Sequence, residues 1–187
     1  WNPKNRYVTN KEIKIIKEWF SFKSLKFTKQ TNFNSMRITS KRLTLTELSW
    51  EDLNDVHAIH SVPEVDQYNT LGIPKNLEET KKVIKPDIED QLKTQRSRFG
   101  WKIELTETNE FIGLAGMFLS NDRFKMAEFY YKFYPKFWGN GFATETAKTL
   151  IKFGFEQRDL HRIEAGVATE NTASVRVLEK SGMTCEG

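Results

Sequence analysis

The sequence predicts an α/β fold built around an antiparallel meander. Three runs rich in aromatic and apolar residues, Phe99 to Glu107, Phe111 to Leu119 and Lys125 to Tyr134, follow one another closely. Only Thr108-Asn109-Glu110 and Ser120-Asn121-Asp122 separate them, and links that short join antiparallel neighbours. Helical patterns flank the trio in the order β α α β β β α β α, unlike the strict alternation of a doubly wound nucleotide-binding sheet. At 187 residues, 38% apolar and 13% aromatic, the chain can build one real core.

Each element has a local cause. Leu43 and Leu45 alternate with Thr44 and Thr46, the period of a half-buried strand. Ser49 caps a helix with Asp52 at its third position and Leu53, Val56 and Ile59 on its apolar face, and Pro63 lies just beyond its end. Asn76 followed by Glu79 is a second capping signal, and Pro86 is expected to divide the next helical stretch into two short pieces. After the meander, Lys136 to Gly141 leads into a helix carrying Ala143, Ala147, Leu150, Ile151 and Phe155. A strand from Ile163 to Thr169 and a helix from Thr172 to Ser181 follow.

Charge divides the chain. Residues 1–35 hold eight Lys/Arg against two Glu, whereas residues 36–187 hold 21 against 23. The boundary is therefore placed at Met36, with an extension over 1–35 and the folded domain over 36–187. Two readings of the extension stay open: an arm that packs on the domain, or a leader foreign to the native protein. Its imperfect amphipathic face, Ile13, Ile16, Trp19 and Phe20, is also of the kind that rests on a membrane or an acidic partner. The basic balance belongs to this extension, so it is discounted as a sign of nucleic-acid binding. The longest apolar run has nine residues, and about 18 to 20 are needed to cross a bilayer. With Cys185 the only cysteine, a cytoplasmic protein without integral membrane association is expected.

The chemistry is concentrated in Phe133-Tyr134-Pro135-Lys136-Phe137-Trp138-Gly139-Asn140-Gly141-Phe142-Ala143-Thr144-Glu145, a strand end that passes through a glycine turn into a helix. Such a junction offers unpaired NH groups and the positive end of a helix dipole to an anion. No Gly-Lys-Ser/Thr follows, which excludes a Walker loop, and Thr144 stands where a dinucleotide fingerprint has its third glycine. An ordinary strand-to-helix turn would look similar.

Context adds to the motif. Lys136-x-x-Gly139-x-Gly141-x-Ala143 after a meander resembles the acetyl-CoA pyrophosphate loop of the GCN5-related N-acetyltransferase (GNAT) superfamily, with lysine where arginine or glutamine is usual. His161-Arg162-Ile163-Glu164-Ala165, then Asn171-Thr172-Ala173-Ser174, then Val177 to Met183, resemble the branch that includes the ribosomal-protein N-terminal acetyltransferases. The resemblance covers about residues 37–186. It implies a mixed, mainly antiparallel sheet with flanking helices and a further strand after the last helix, which this chain lacks as read from its sequence.

The resemblance also implies site residues. Pyrophosphate would meet the NH groups of Phe137, Trp138, Gly139, Asn140, Gly141, Phe142 and Ala143, with Lys136 adding charge. The pantetheine arm of acetyl-CoA would pair with the strand edge at Phe133 and Tyr134. Glu128 resembles a glutamate used as general base, and parity puts it on one strand face with Tyr130, Lys132 and Tyr134. Burial among the tyrosines would raise its pKa; a pair with Lys132 is the competing reading. Ser174 matches a serine near the coenzyme sulfur and Asn171 a cofactor-contacting asparagine, though the same two residues suit a plain helix cap and first turn. The tyrosine that many members use as acid is Leu178 here.

The remaining candidates are weaker. His57 and His60 lie three apart without further ligands, so no metal is expected. Cys185 lacks an evident base, which favours direct transfer over an acyl-cysteine. The expected function is acetyl transfer from acetyl-CoA to a primary amine, a protein N-terminus first. The alternatives are a polyamine or antibiotic acceptor, and a non-catalytic acetyl-CoA sensor. Glu104, Glu107 and Glu110 are available to line a cationic acceptor's mouth, and the protein is expected to be a monomer or homodimer.

Overall fold

Alternating apolar residues form strands where the pattern places them. The computed structural model describes residues 4–10, 26–29, 35–69, 71–121 and 123–186. In chain order the elements are β1 (Lys4–Asn10), β2 (Lys26–Lys29), β3 (Met36–Thr39), β4 (Leu43–Glu47), α1 (Leu53–His60), α2 (Pro63–Asp66) and α3 (Leu77–Asp90). Then come β5 (Arg98–Leu105), β6 (Phe111–Leu119), β7 (Met126–Phe133), α4 (Phe142–Gln157), β8 (Arg162–Ala168), α5 (Thr172–Lys180) and β9 (Thr184–Cys185). One nine-stranded sheet runs β2-β3-β4-β5-β6-β7-β8-β1-β9. Its neighbours are antiparallel except β7 and β8, which run parallel through the crossover helix α4. The meander, the mixed sheet and the flanking helices are those the sequence predicts. No helix among the described residues is long and apolar enough to cross a membrane.

Each face of the sheet is covered. On one side α4 lays Leu150, Ile151 and Phe153 against Phe99, Trp101 and Phe129, all buried. Phe99 and Trp101 stack at 5.5 Å and the Phe153 ring meets each edge-on at 5.4 Å. On the other side α1 and α3 bury Val56, Ile59 and Ile84 against Leu48 and Leu114.

Two expectations are corrected. The first concerns Pro86: α3 continues through it as one helix from Leu77 to Asp90. The turn past the proline is pinned by side chains that reach β5. Asp87 takes the Arg98 guanidinium at 2.8 Å, and Asp90 accepts the Ser97 and Arg98 NH groups at 2.8 Å each. These charge-assisted bonds offset the hydrogen bond that proline removes.

The second concerns the missing last strand. β1 lies antiparallel to β8 along all seven of its residues, from Lys4 opposite Ala168 to Asn10 opposite Arg162. On its other edge β1 pairs with β9, Tyr7 opposite Cys185 and Val8 opposite Thr184. Part of the stretch read as an extension is thus an inner strand, and the edge of β8 is covered from the N-terminal side. Met36 is not a boundary of the sheet, because β2 pairs with β3 at its far edge. The amphipathic face proposed over Ile13 to Phe20 lies outside the described residues. Sequence pattern could not place β1, since a strand of seven residues carries no mark of its distant partner.

Tyr7 is 3% exposed and belongs to the main core. Replacing it with alanine is expected to lower unfolding free energy by about 3 kcal/mol or more, measured by urea denaturation. A change below about 0.5 kcal/mol, as for an exposed site, would mean that β1 does not hold the sheet.

Candidate active site

The sheet opens where the site forms. β7 and β8 pair at Met126–Arg162, Ala127–Ile163 and Glu128–Glu164, and then diverge although both strands continue. Beyond Glu128 the edge of β7 facing β8 has no strand partner among the described residues, so its backbone groups are available to a ligand lying in the gap. A cavity of about 540 Å³ occupies this opening. Because β7 alternates, Phe129 and Tyr131 line it on the α4–α5 side, and Glu128, Tyr130 and Lys132 on the α1–α3 side. The cavity therefore passes through the sheet, with Asn171 and Ser174 of α5 at one end and His60, Asp87 and Arg98 at the other.

The glycine turn follows β7 directly. A short 3-10 turn over Pro135–Phe137 leads to Gly139 and Gly141, with φ of 77° and 78°. This left-handed backbone favours glycine and bends the chain into α4. Gly141 is the N-cap and supplies no side chain. The first turn closes with Glu145 NH donating to the Gly141 carbonyl at 3.0 Å, leaving the preceding NH groups without helical partners. The residues expected to meet an anion, Gly139, Asn140, Gly141, Phe142 and Ala143, lie at this junction. Trp138 is 51% exposed beside it, and its indole NH donates to the Phe133 carbonyl at 2.8 Å. Tyr134 forms an edge contact with Phe111 on the α1–α3 side.

Arg42, in the β3–β4 turn, is a residue that sequence reasoning missed. Its Nε donates to the Glu145 carboxylate at 2.7 Å, its Nη1 to the Asn140 carbonyl at 3.1 Å, and its guanidinium lies 4.4 Å from the centre of the Phe142 ring. Glu145 also accepts the Ser40 hydroxyl at 2.8 Å and the Arg42 NH at 2.7 Å. The turn brings a cation to the loop from about a hundred residues away, a distance no local motif spans. Lys136 has its ammonium 2.7 Å from Glu110. Both side chains are exposed, and such a pair exchanges readily with solvent or an anion.

The predicted catalytic residues separate in character. Glu128 is exposed and makes no ion pair with Lys132 among the described residues, so neither burial among tyrosines nor pairing holds. Tyr130 lies in the cavity wall instead, stacked on Phe118 at 5.5 Å, with Gly116 opposite leaving room for its ring. Asn171 accepts the Ser174 NH at 3.1 Å through its side-chain oxygen, the capping role, while both residues line the cavity. Tyr131 adds a hydroxyl that the sequence did not single out. It is buried beside Ser174 without a well-formed hydrogen bond, and burial pushes its pKa up to about 12 against the opposing influence of Ser174.

The other candidates fall away. Leu178 is buried. His57 bonds Thr80 at 2.7 Å, and no group of three or more metal-ligating side chains occurs among the described residues. Cys185 is exposed on β9 and outside the cavity. Glu104 and Glu110 pair with Lys102 and Lys136, and neither they nor Glu107 lines the cavity.

A split parallel pair followed by a glycine-capped helix is an arrangement able to take an extended, anionic ligand along a strand edge. The acetyltransferase (GNAT) domain family matches residues 42–184. The chain is 32% identical over 150 residues to the uncharacterized N-acetyltransferase YoaA of Bacillus subtilis, covering 80% of this chain and 84% of that one. A GNAT-family acetyltransferase from Bacillus anthracis superposes with a TM-score of 0.70 at 30% identity, covering 81% and 86% of the two chains. Spermidine N-acetyltransferase from Vibrio cholerae, solved with CoA and spermine, gives 0.70 at 25% identity, covering 79% and 84%. The chain belongs to the GNAT family, and it is an acetyl-CoA-dependent N-acyltransferase.

Two measurements test the wall of the site. A Cβ on Gly116 would fall 2.2 Å from the Tyr130 ring, so Gly116→Ala is expected to lower unfolding free energy by about 1–3 kcal/mol, read by urea denaturation. His60, 9% exposed, has its pKa lowered from 6.5 to about 4 by burial, with Lys132 and His57 adding to the effect. Between those values the unfolded chain binds more protons than the folded one, so stability rises with pH. Acidification from pH 7 to 5 is expected to remove about 2 kcal/mol through this group. Unfolding of His60→Gln at both pH values should show that loss abolished.

Proposed function

We propose that the protein acetylates a small primary amine, with the thioester on the α4–α5 side of the split and the amine entering from the α1–α3 side. The cavity that passes through the sheet carries this reading, because it lets two substrates meet from opposite faces. The likeness to a spermidine acetyltransferase supports a small acceptor over a protein chain. The reading of a protein N-terminal α-amine keeps the support of Asn171 and Ser174, spaced as in the ribosomal-protein branch.

In this reading each chemical need falls to a named group. The NH groups of residues 139–144 and the Arg42 cation hold pyrophosphate, with Lys136 in reach once it leaves Glu110. The free edge of β7 pairs with the pantetheine arm, and an NH there faces the developing oxyanion. The amine nitrogen forms a bond to the thioester carbon, loses a proton to water ordered by Glu128, and the carbon–sulfur bond breaks. Tyr131, kept protonated by burial and with Ser174 beside its hydroxyl, gives the departing thiolate its proton.

Incubation with acetyl-CoA and a panel of small amines and N-terminal peptides, followed by mass spectrometry, tests the reading. Acetylated small amines are expected, and acetylation confined to peptides would replace the small-amine reading with the protein one. Tyr131→Phe is expected to lower kcat about 100-fold with little change in KM for acetyl-CoA. An unchanged kcat would remove Tyr131 from the reaction.

A further inference from the structure

Lys132 is the unexplained charge of the acceptor side. It lies half-buried in the cavity wall, and no hydrogen bond or ion pair to its ammonium is present among the described residues. Burial pushes its pKa down, with Asp66 opposing. Among the described residues no neighbouring group pairs with it. Asp66, at the end of α2, accepts the Asn69 amide at 2.7 Å and lies beyond ion-pair distance of Lys132. Asp87 on α3 is bound to Arg98 on β5. Glu128, on the same strand, is exposed and unpaired with it, and His60 on α1 is neutral at pH 7. A desolvated ammonium without a counter-ion is costly, and an anion arriving with the substrate would offset that cost.

The geometry selects which substrate brings the anion. Lys132 projects from β7 on the face opposite Tyr131, so it addresses the acceptor side and not the side of the thioester. The other lysine or arginine lining the cavity among the described residues, Arg98, is taken by Asp87, which leaves Lys132 as the uncommitted positive charge of that lining. One ammonium suits a carboxylate, whereas a phosphate dianion calls for several donors. A polyamine would place more positive charge beside it. Resting on the reading of a small-amine acetyltransferase, we propose that Lys132 anchors the carboxylate of the acceptor, making the substrate an amino acid or another small amine that also bears a carboxylate.

The test pairs each of several amino acids with its carboxamide and adds spermidine, scoring acetyl transfer by kcat/KM. Wild type is expected to prefer the acid over its amide at least tenfold, and Lys132→Met to bring that ratio near one while Lys132→Arg retains it. Loss of an uncompensated charge should also raise the unfolding temperature of Lys132→Met, which separates the effect from misfolding. Equal use of acid and amide by wild type, a preference that survives Lys132→Met, or spermidine outrunning every acid would overturn the proposal. Equilibrium binding of the same amino acids to the CoA-loaded protein covers the case of no transfer. Binding that depends on Lys132 then supports the anchor while the transfer reading falls, and binding indifferent to Lys132 or absent overturns the anchor as well.

Discussion

Strands β7 and β8 pair for three residues and separate after Glu128 and Glu164, and most of what the molecule can do depends on that separation. A continued ladder would join the backbone groups that a ligand needs and close the passage between the two faces. The divergence is sustained from both sides. β7 stays bound to β6 from Leu119 opposite Ala127 to Gly113 opposite Phe133. β8 stays bound to β1 along its whole length, so each strand leaves only one edge open. An N-terminal strand therefore helps to maintain an opening formed by elements more than a hundred residues later.

The cavity separates two kinds of chemistry. On the α4–α5 side the lining is aromatic and hydroxylic, with Phe129, Tyr131 and Ser174, and the chain leaves β7 into a turn whose free NH groups suit phosphate. On the α1–α3 side charges are present but mostly committed to one another, as with Asp87 and Arg98. That pair both lines the cavity and secures the end of α3 beyond Pro86, so the helix that shapes the acceptor side is held by groups of the site itself. Lys132 stands apart because no group among the described residues pairs with it.

Much of the site was legible where chemistry is local. The glycines at 139 and 141 announce a left-handed turn, Asn171 announces a cap, and alternation along β7 assigns Glu128, Tyr130 and Lys132 to one face. Arg42 was not legible, since its place beside Asn140 and Glu145 comes from a hairpin turn far away in sequence. The exposure of Glu128 was not legible either. Parity names a face, and burial depends on what packs over each position of that face.

The sequence alone determined the meander, the helices that follow Ser49, Gly141 and Asn171, the glycine turn and the family, because periodicity, capping and glycine spacing act within a few residues of one another. Tertiary structure alone decided three things: that residues 4–10 cover the edge of β8, that α3 runs through its proline, and that the lysine on β7 has no partner among the described residues. The first two rest on partners that folding brings, and the third on a position that folding leaves without one, so the free energy is set by the partner that arrives and not by the residues that wait for it.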